Sequence, residues 1–205
     1  MAGSGTGNIG VVPDRCLIDG AFVGADSGAT FEVTNPATDE VLARVPDCGA
    51  AETWRAIEAA SRAWPLWRAQ AAPERSRVLR KLGELMLRDQ ERLALLMTAE
   101  QGKPLGEARG EIAYAASFLE WSAGEAVRIY GETVPASVAD KRILVLRQPV
   151  GVCAAITPWN FPSAMITRKL GPALAAGCTI VIKPPEQTPL SALALAGLAL
   201  RRQST

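Results

Sequence analysis

Apolar positions in the first 45 residues come in short runs broken by turn-forming residues. Cys16 to Val23 contains two such runs around Asp19-Gly20, a dipeptide that adopts the positive φ angles of a tight turn, and the pattern predicts a hairpin. Phe31 to Thr34 and Val41 to Val45 flank Asn35-Pro36-Ala37-Thr38-Asp39, where Asn-Pro and Asp favour a turn, so a second strand pair follows. The period then changes. Trp54, Ile57, Ala60 and Trp64 recur every three to four residues, as on one face of a helix. Pro65 is expected to end that helix, because proline brings no amide hydrogen and crowds the preceding turn. Pro73 sits where a first helical turn tolerates it, and Val78, Leu82, Leu85, Met86, Leu93, Leu96 and Met97 form a continuous stripe, read as one long helix ending near Gly102. A third helix is expected from about Leu105, through Ile112, Ala116, Leu119, Ala123 and Ala126, to Gly131. These stripes read as core.

Beyond Gly131 strand character returns. Ile143 to Leu146 is rich in branched residues, and Val150 to Ile156 is a short apolar run of the sort buried in a parallel sheet. A loop from Thr157 to Pro162, a helix from Ser163 to Ala176, a strand from Thr179 to Ile182, a loop from Lys183 to Pro189 and a helix from Leu190 complete a βαβα unit. Such a unit makes its strands parallel and places ligands at their carboxyl ends, which here are the two loops. The expected organisation is a loose tail over 1–15, hairpins and three helices over 16–131, a strand segment over 132–149, and the βαβα unit over 150–205.

Composition narrows the chemistry. Of 205 residues, 48% are apolar and 21% charged, the balance of a folded soluble domain. Twenty-two basic against 21 acidic residues leave a net charge of +1, so no long-range field attracts nucleic acid or an anionic membrane, and neither partner is expected. The longest apolar stretch, Ala192 to Leu200, is far below the ~20 residues a membrane span needs. There is no histidine, which removes Ser-His-Asp triads, Cys-His dyads and histidine-bearing metal sites, and no metal is expected. Cys16, Cys48, Cys153 and Cys178 are widely spaced without a CxxC pair, which fits reduced thiols and a cytoplasmic location. Cys153 and Cys178 lie among Ala, Val and Ile and read as small hydrophobes, while Cys16 and Cys48 receive no role. Met1 to Asn8 carries no basic or apolar segment of a secretory signal and reads as a loose tail. Gly5-Thr6-Gly7-Asn8-Ile9-Gly10 matches the dinucleotide fingerprint in form, but no strand precedes it, and it is set aside.

The informative segments are Gly151-Val-Cys-Ala-Ala-Ile-Thr-Pro-Trp-Asn-Phe-Pro162 and Ala175-Ala-Gly-Cys-Thr-Ile-Val-Ile-Lys-Pro-Pro-Glu-Gln-Thr-Pro189. With them the chain resembles the aldehyde dehydrogenase superfamily. Gly102-Lys103-Pro104-Leu105, Glu111-Ile112, Ala115-Ala116, Phe118, Arg128-Ile129-Tyr130-Gly131 and Ala164-Met165-Ile166-Thr167-Arg168-Lys169 look like its succinate-semialdehyde branch. The resemblance runs from Cys16 to about Leu200. It implies the N-terminal part of an aldehyde dehydrogenase fold, an α/β architecture with an incomplete Rossmann-like sheet, flanking helices and a β-rich start, in which 132–149 belongs to the oligomerisation region.

The implied activity is oxidation of succinate semialdehyde, or a similar carboxylated aldehyde, to the acid with NAD or NADP through a cysteine thiohemiacetal. Asn160 would donate to the oxyanion, a task suited to a neutral carboxamide, with an Asx-turn cap of the next helix as the plain alternative. Lys183 and Glu186 would hold the adenosine ribose, Glu186 favouring NAD by repelling a 2′-phosphate; otherwise they are a surface pair. Thr157 and Trp159 would line the nicotinamide side, the indole alternatively packing in the core. Arg168 would fork onto the distal carboxylate of the substrate, or else pair with a nearby acidic residue. The family's nucleophilic cysteine and basic glutamate come from its second half, so the chain is expected to be a truncated, inactive product of a dehydrogenase gene. Full-length relatives are expected to be homo-oligomers. An open sheet edge and a bare apolar face on the last helix would lead the fragment to aggregate or to pair with another chain, and a non-catalytic interaction module is the alternative function.

Overall fold

The computed structural model describes residues 13–201; the predicted tail and Gly5 to Gly10 fall largely or wholly outside them. Both hairpins form as expected. β1 (Cys16–Ile18) pairs antiparallel with β2 (Ala21–Val23), turning through Asp19 and Gly20 at φ 53° and 77°. β3 (Thr30–Thr34) pairs with β4 (Val41–Pro46), closed by a turn in which the Asn35 carboxamide accepts the Ala37 amide at 2.9 Å.

Helix boundaries depart from the pattern in three places. α1 (Ala50–Arg68) runs through Pro65 instead of stopping there. The Trp64 and Trp67 indoles donate to the carbonyls of Gly177 and Leu174, both at 3.2 Å, and these anchors hold the last turn in spite of the missing backbone bond. The long stripe is two helices, α2 (Ala72–Arg88) and α3 (Gln90–Gln101), separated at Asp89, whose backbone at φ −95°, ψ 16° leaves the helical region and whose carboxylate meets Arg88 and Arg92. α4 (Leu105–Ala126) ends before Gly131. That glycine serves another purpose: a Cβ there would lie 2.3 Å from the Val145 carbonyl oxygen, across the hairpin of β5 (Glu132–Val134) and β6 (Ile143–Val145).

β7 (Val152–Ile156) and β8 (Thr179–Lys183) pair in parallel from Val152 opposite Thr179 to Ile156 opposite Lys183, joined by α5 (Ala164–Ala175) and followed by α6 (Pro189–Arg201). The βαβα unit is therefore as expected, but β7 is not the buried strand its apolar run suggested. Only Ala155 in it is buried, and Ile156 is 80% exposed, because among the described residues this sheet has two strands. Nor is the last helix bare: Leu190, Leu193, Ala194, Leu195 and Leu198 are buried in the core.

The core is helical, built by α2, α3, α4, α5 and α6 around Leu79, Met86, Leu96, Met97, Ile112 and Leu119. Small residues bring α4 and α5 close together. A Cβ on Gly171 would lie 2.5 Å from Ser122 Oγ and 3.2 Å from the Phe118 carbonyl oxygen. Gly102, at φ 80°, caps α3, and a Cβ there would meet Pro36 at 3.0 Å, so the β3–β4 turn closes against the end of α3. No helix among the described residues is long and apolar enough to cross a membrane.

Candidate functional site

Parallel pairing brings the segments leaving β7 and β8 out at the same end of the sheet. The Thr157 amide donates to the Lys183 carbonyl at 3.2 Å and ties the two strand ends together. The Thr157 side chain is buried, and its hydroxyl has no hydrogen-bond partner among the described residues. Trp159 is 53% exposed, so its indole is not a core residue. Asn160 is exposed as well.

The Asn160 loop is held from below by two charged residues. The Lys103 ammonium donates to the Asn160 carbonyl oxygen at 3.0 Å, stands 4.1 Å from the centre of the Phe161 ring, and pairs with the Glu111 carboxylate. Glu111 also accepts the Ser163 and Ala164 amides at 3.0 and 3.2 Å, which caps the amino end of α5. The Lys103 and Glu111 side chains are 9% and 1% exposed, so removing one would strand the other's charge at a cost of about 3–5 kcal/mol. Because Glu111 caps α5, the Asx-cap alternative for Asn160 is not what the structure shows.

Arg168 is exposed on α5, its guanidinium carbon 5.7 Å from the centre of the Phe118 ring, and it makes no salt bridge among the described residues. Lys183 and Glu186 pair at 3.4 Å and are largely exposed. Trp159 and Glu186 both line an open cleft of about 520 Å³, together with Phe31, Val33, Glu100 and Thr188. Buried Glu100 accepts the Leu190 and Ser191 amides and the Ser191 hydroxyl at the start of α6. Burial outweighs those bonds and pushes its carboxyl up to about 7.

Sequence reasoning gave no role to Glu100, Lys103 or Glu111. The signal was available: Glu100 continues the stripe Leu93, Leu96, Met97, and Glu111 sits in the stripe Ala108, Ile112, Ala115, so each carboxylate occupies a buried face that must supply it with donors. Cys153 and Cys178 lie at the amino ends of β7 and β8, opposite to Asn160 and Glu186. Cys178 is buried and Cys153 half-buried, its thiol raised by burial and by neighbouring Cys178, as expected of packing residues. The remaining pair, Cys16 and Cys48, assigned no role from sequence, stands sulfur to sulfur at 3.5 Å.

A model of the aldehyde dehydrogenase family matches residues 22–202. The chain belongs to the aldehyde dehydrogenase family. It is 66% identical over 187 residues to a glutarate-semialdehyde dehydrogenase of Pseudomonas aeruginosa, covering 91% of this chain and 39% of that protein. It is 61% identical over 187 residues, with the same coverage, to the succinate-semialdehyde dehydrogenase (NADP(+)) of Escherichia coli strain K12. Among solved structures it resembles an E. coli NADP-dependent enzyme at TM-score 0.92 and 59% identity, covering 95% of this chain and 40% of that one. The chain thus spans well under half the length of these aldehyde dehydrogenase relatives.

Proposed function

We propose that this chain supplies the oxyanion, substrate-carboxylate and cofactor contacts of an NAD-dependent dehydrogenase oxidising succinate semialdehyde or a similar carboxylated aldehyde. The observation that carries the reading is the parallel strand pair, whose shared carboxyl end presents Thr157, Trp159 and Asn160 beside Lys183 and Glu186. The residues suit a dinucleotide: an unpartnered buried hydroxyl, an exposed indole, and an ammonium and a carboxylate open at the end of β8. When bound, NAD accepts hydride from the substrate carbon.

Asn160 donates its carboxamide hydrogens to the oxygen on which negative charge develops, and the Lys103–Glu111 pair holds its loop in place for that task. Arg168, unpaired with any carboxylate among the described residues, forks onto the distal carboxylate of the aldehyde. Glu186 accepts the ribose hydroxyls and repels a 2′-phosphate, which favours NAD. No cysteine among the described residues is placed with Asn160, since Cys153 and Cys178 stand at the opposite strand ends and Cys16 and Cys48 near the first hairpin. The 205 residues alone therefore do not turn over.

Calorimetric titration tests the binding half. NAD is expected to give a weak saturable isotherm, NADP a weaker one, and Glu186→Gln is expected to narrow the difference; equal affinities in the unmodified chain would refute the assignment of Glu186. Steady NADH production by the 205-residue chain from succinate semialdehyde would refute the non-catalytic half.

A second reading rests on the β5–β6 hairpin, exposed at every residue of both strands. Leu144 at 68% and Leu146 at 74% exposure offer an apolar ribbon with open edges to another chain, which fits an interaction module and the oligomerisation role proposed for 132–149.

A further inference from the structure

Four cysteines are free, and they fall into two adjacent pairs. The pairs differ in what surrounds them. Cys178 is buried at 3% exposure, and Cys153 is paired in register with Ile180, so these two thiols are wedged diagonally between neighbouring parallel strands. Cys16 and Cys48 are both half-buried and separated by 32 positions in sequence. Cys16 opens β1, and Cys48 lies in the short connection between β4 and α1, so neither is locked inside a helix. Their sulfurs are 3.5 Å apart, the Cys48 thiol donating to Cys16. A disulfide needs about 2 Å, a closure that side-chain rotation can supply where the backbone is irregular.

We propose that Cys16 and Cys48 form a reversible dithiol site that hydrogen peroxide closes to an intramolecular disulfide. The Cys48 thiol donates to the Cys16 sulfur, and burial first, then the Cys16 sulfur and the Glu52 carboxylate, push it up, so Cys16 takes the part of the attacking sulfur. The Cys16 sulfur attacks one peroxide oxygen, the O–O bond breaks, and Cys16 becomes a sulfenic acid with release of one water. The Cys48 sulfur then attacks the Cys16 sulfur; the S–S bond forms, the S–O bond breaks, and the Cys48 proton leaves with the hydroxyl as a second water. Two thiols lose two electrons in all, and one peroxide is reduced to two waters.

The clasp would act on a weakly held element. The exposed Arg62–Asp19 pair, at 2.9 Å, ties the β1–β2 hairpin to α1, and an exposed ion pair holds little. A covalent link from Cys16 to Cys48 fastens the hairpin to the start of α1 and removes loop freedom from the unfolded chain.

Peptide mapping of the 205-residue chain tests the site. Trypsin cutting after Arg15, Arg44 and Arg55 leaves Cys16 and Cys48 on separate peptides. After brief peroxide treatment and thiol blocking, the expected result is one linked species joining residues 16–44 to 45–55. Titratable thiols should fall from four to two, dithiothreitol should restore them, and the thermal midpoint should rise while the link is present. Cys16→Ser and Cys48→Ser should each abolish the link and the rise, whereas a Cys153→Ser, Cys178→Ser chain should keep both. A Cys153–Cys178 link, a mixture of pairings, links between molecules, or oxidation of Cys16 without a link would each overturn the proposal. Should the serine variants fail to fold, the map of the unmodified chain decides alone.

Discussion

Glu100 is the residue whose environment is most at odds with its ordinary chemistry. Its carboxyl is pushed from an ordinary 4.5 to about 7 by burial, and the chain has no histidine to titrate in the same range. In the folded state the proton is held more tightly than in the unfolded state, so Glu100 contributes stability that is complete below about pH 4.5 and is lost as pH rises through about 7. The loss amounts to roughly 3 kcal/mol, at about 1.4 kcal/mol per pH unit of displacement. Denaturant midpoints are expected to fall between pH 5 and pH 8, and Glu100→Gln, which cannot ionise, should flatten that part of the profile. An unchanged slope in the variant would mean that the carboxylate is fully compensated by the Leu190 and Ser191 donors. Glu111, by contrast, has the Lys103 ammonium as a partner and belongs to the support of the Asn160 loop.

Among the elements, α5 carries the greatest demands: it connects the two parallel strands, displays Arg168, is capped by Glu111 and packs against α4. That packing depends on Gly171, where a methyl group would meet the Ser122 hydroxyl and the Phe118 carbonyl. Gly171→Ala is expected to cost about 1–3 kcal/mol through overpacking, although alanine is the better helix former. A lower thermal midpoint checks this, and Gly110→Ala, with open space around its Cβ on the same α4, should not lower it. Element boundaries were the least legible feature of the sequence. Pro65 reads as a stop, yet α1 continues because the Trp64 and Trp67 indoles find carbonyls more than a hundred residues away. The stripe from Val78 to Met97 reads as continuous, yet Asp89 breaks it so that α3 can present Leu93, Leu96 and Glu100 to the core.

At the scale of the whole molecule, a helical core is combined with four two-stranded sheets among the described residues, and the β5–β6 hairpin exposes Val134, Ile143, Leu144 and Val145 together. Ile156 and the β5–β6 hairpin lie on surface that a monomer gains nothing by exposing. If the hairpin joins chains, size-exclusion chromatography should show concentration-dependent association of the 205-residue chain, and a Leu144→Lys, Leu146→Lys chain should shift to monomer. A concentration-independent monomer would remove the interaction reading and leave the dehydrogenase reading untouched.

The sequence alone determined the alternation of β-rich and helical stretches, both N-terminal turns, the βαβα unit and the family. These depend on local φ preferences, on hydrophobic period, and on motif residues standing in a fixed order, none of which requires knowing what lies across the fold. It also determined which side chains stand at the strand ends, because parallel pairing of two successive strands leaves one choice. The tertiary structure decided what holds those side chains. That Lys103 and Glu111 grip the Asn160 loop, that Glu100 caps α6, and that Cys16 meets Cys48 are contacts between residues 8 to 90 positions apart. A buried charge or a thiol takes its character from such partners, and packing alone brings them together.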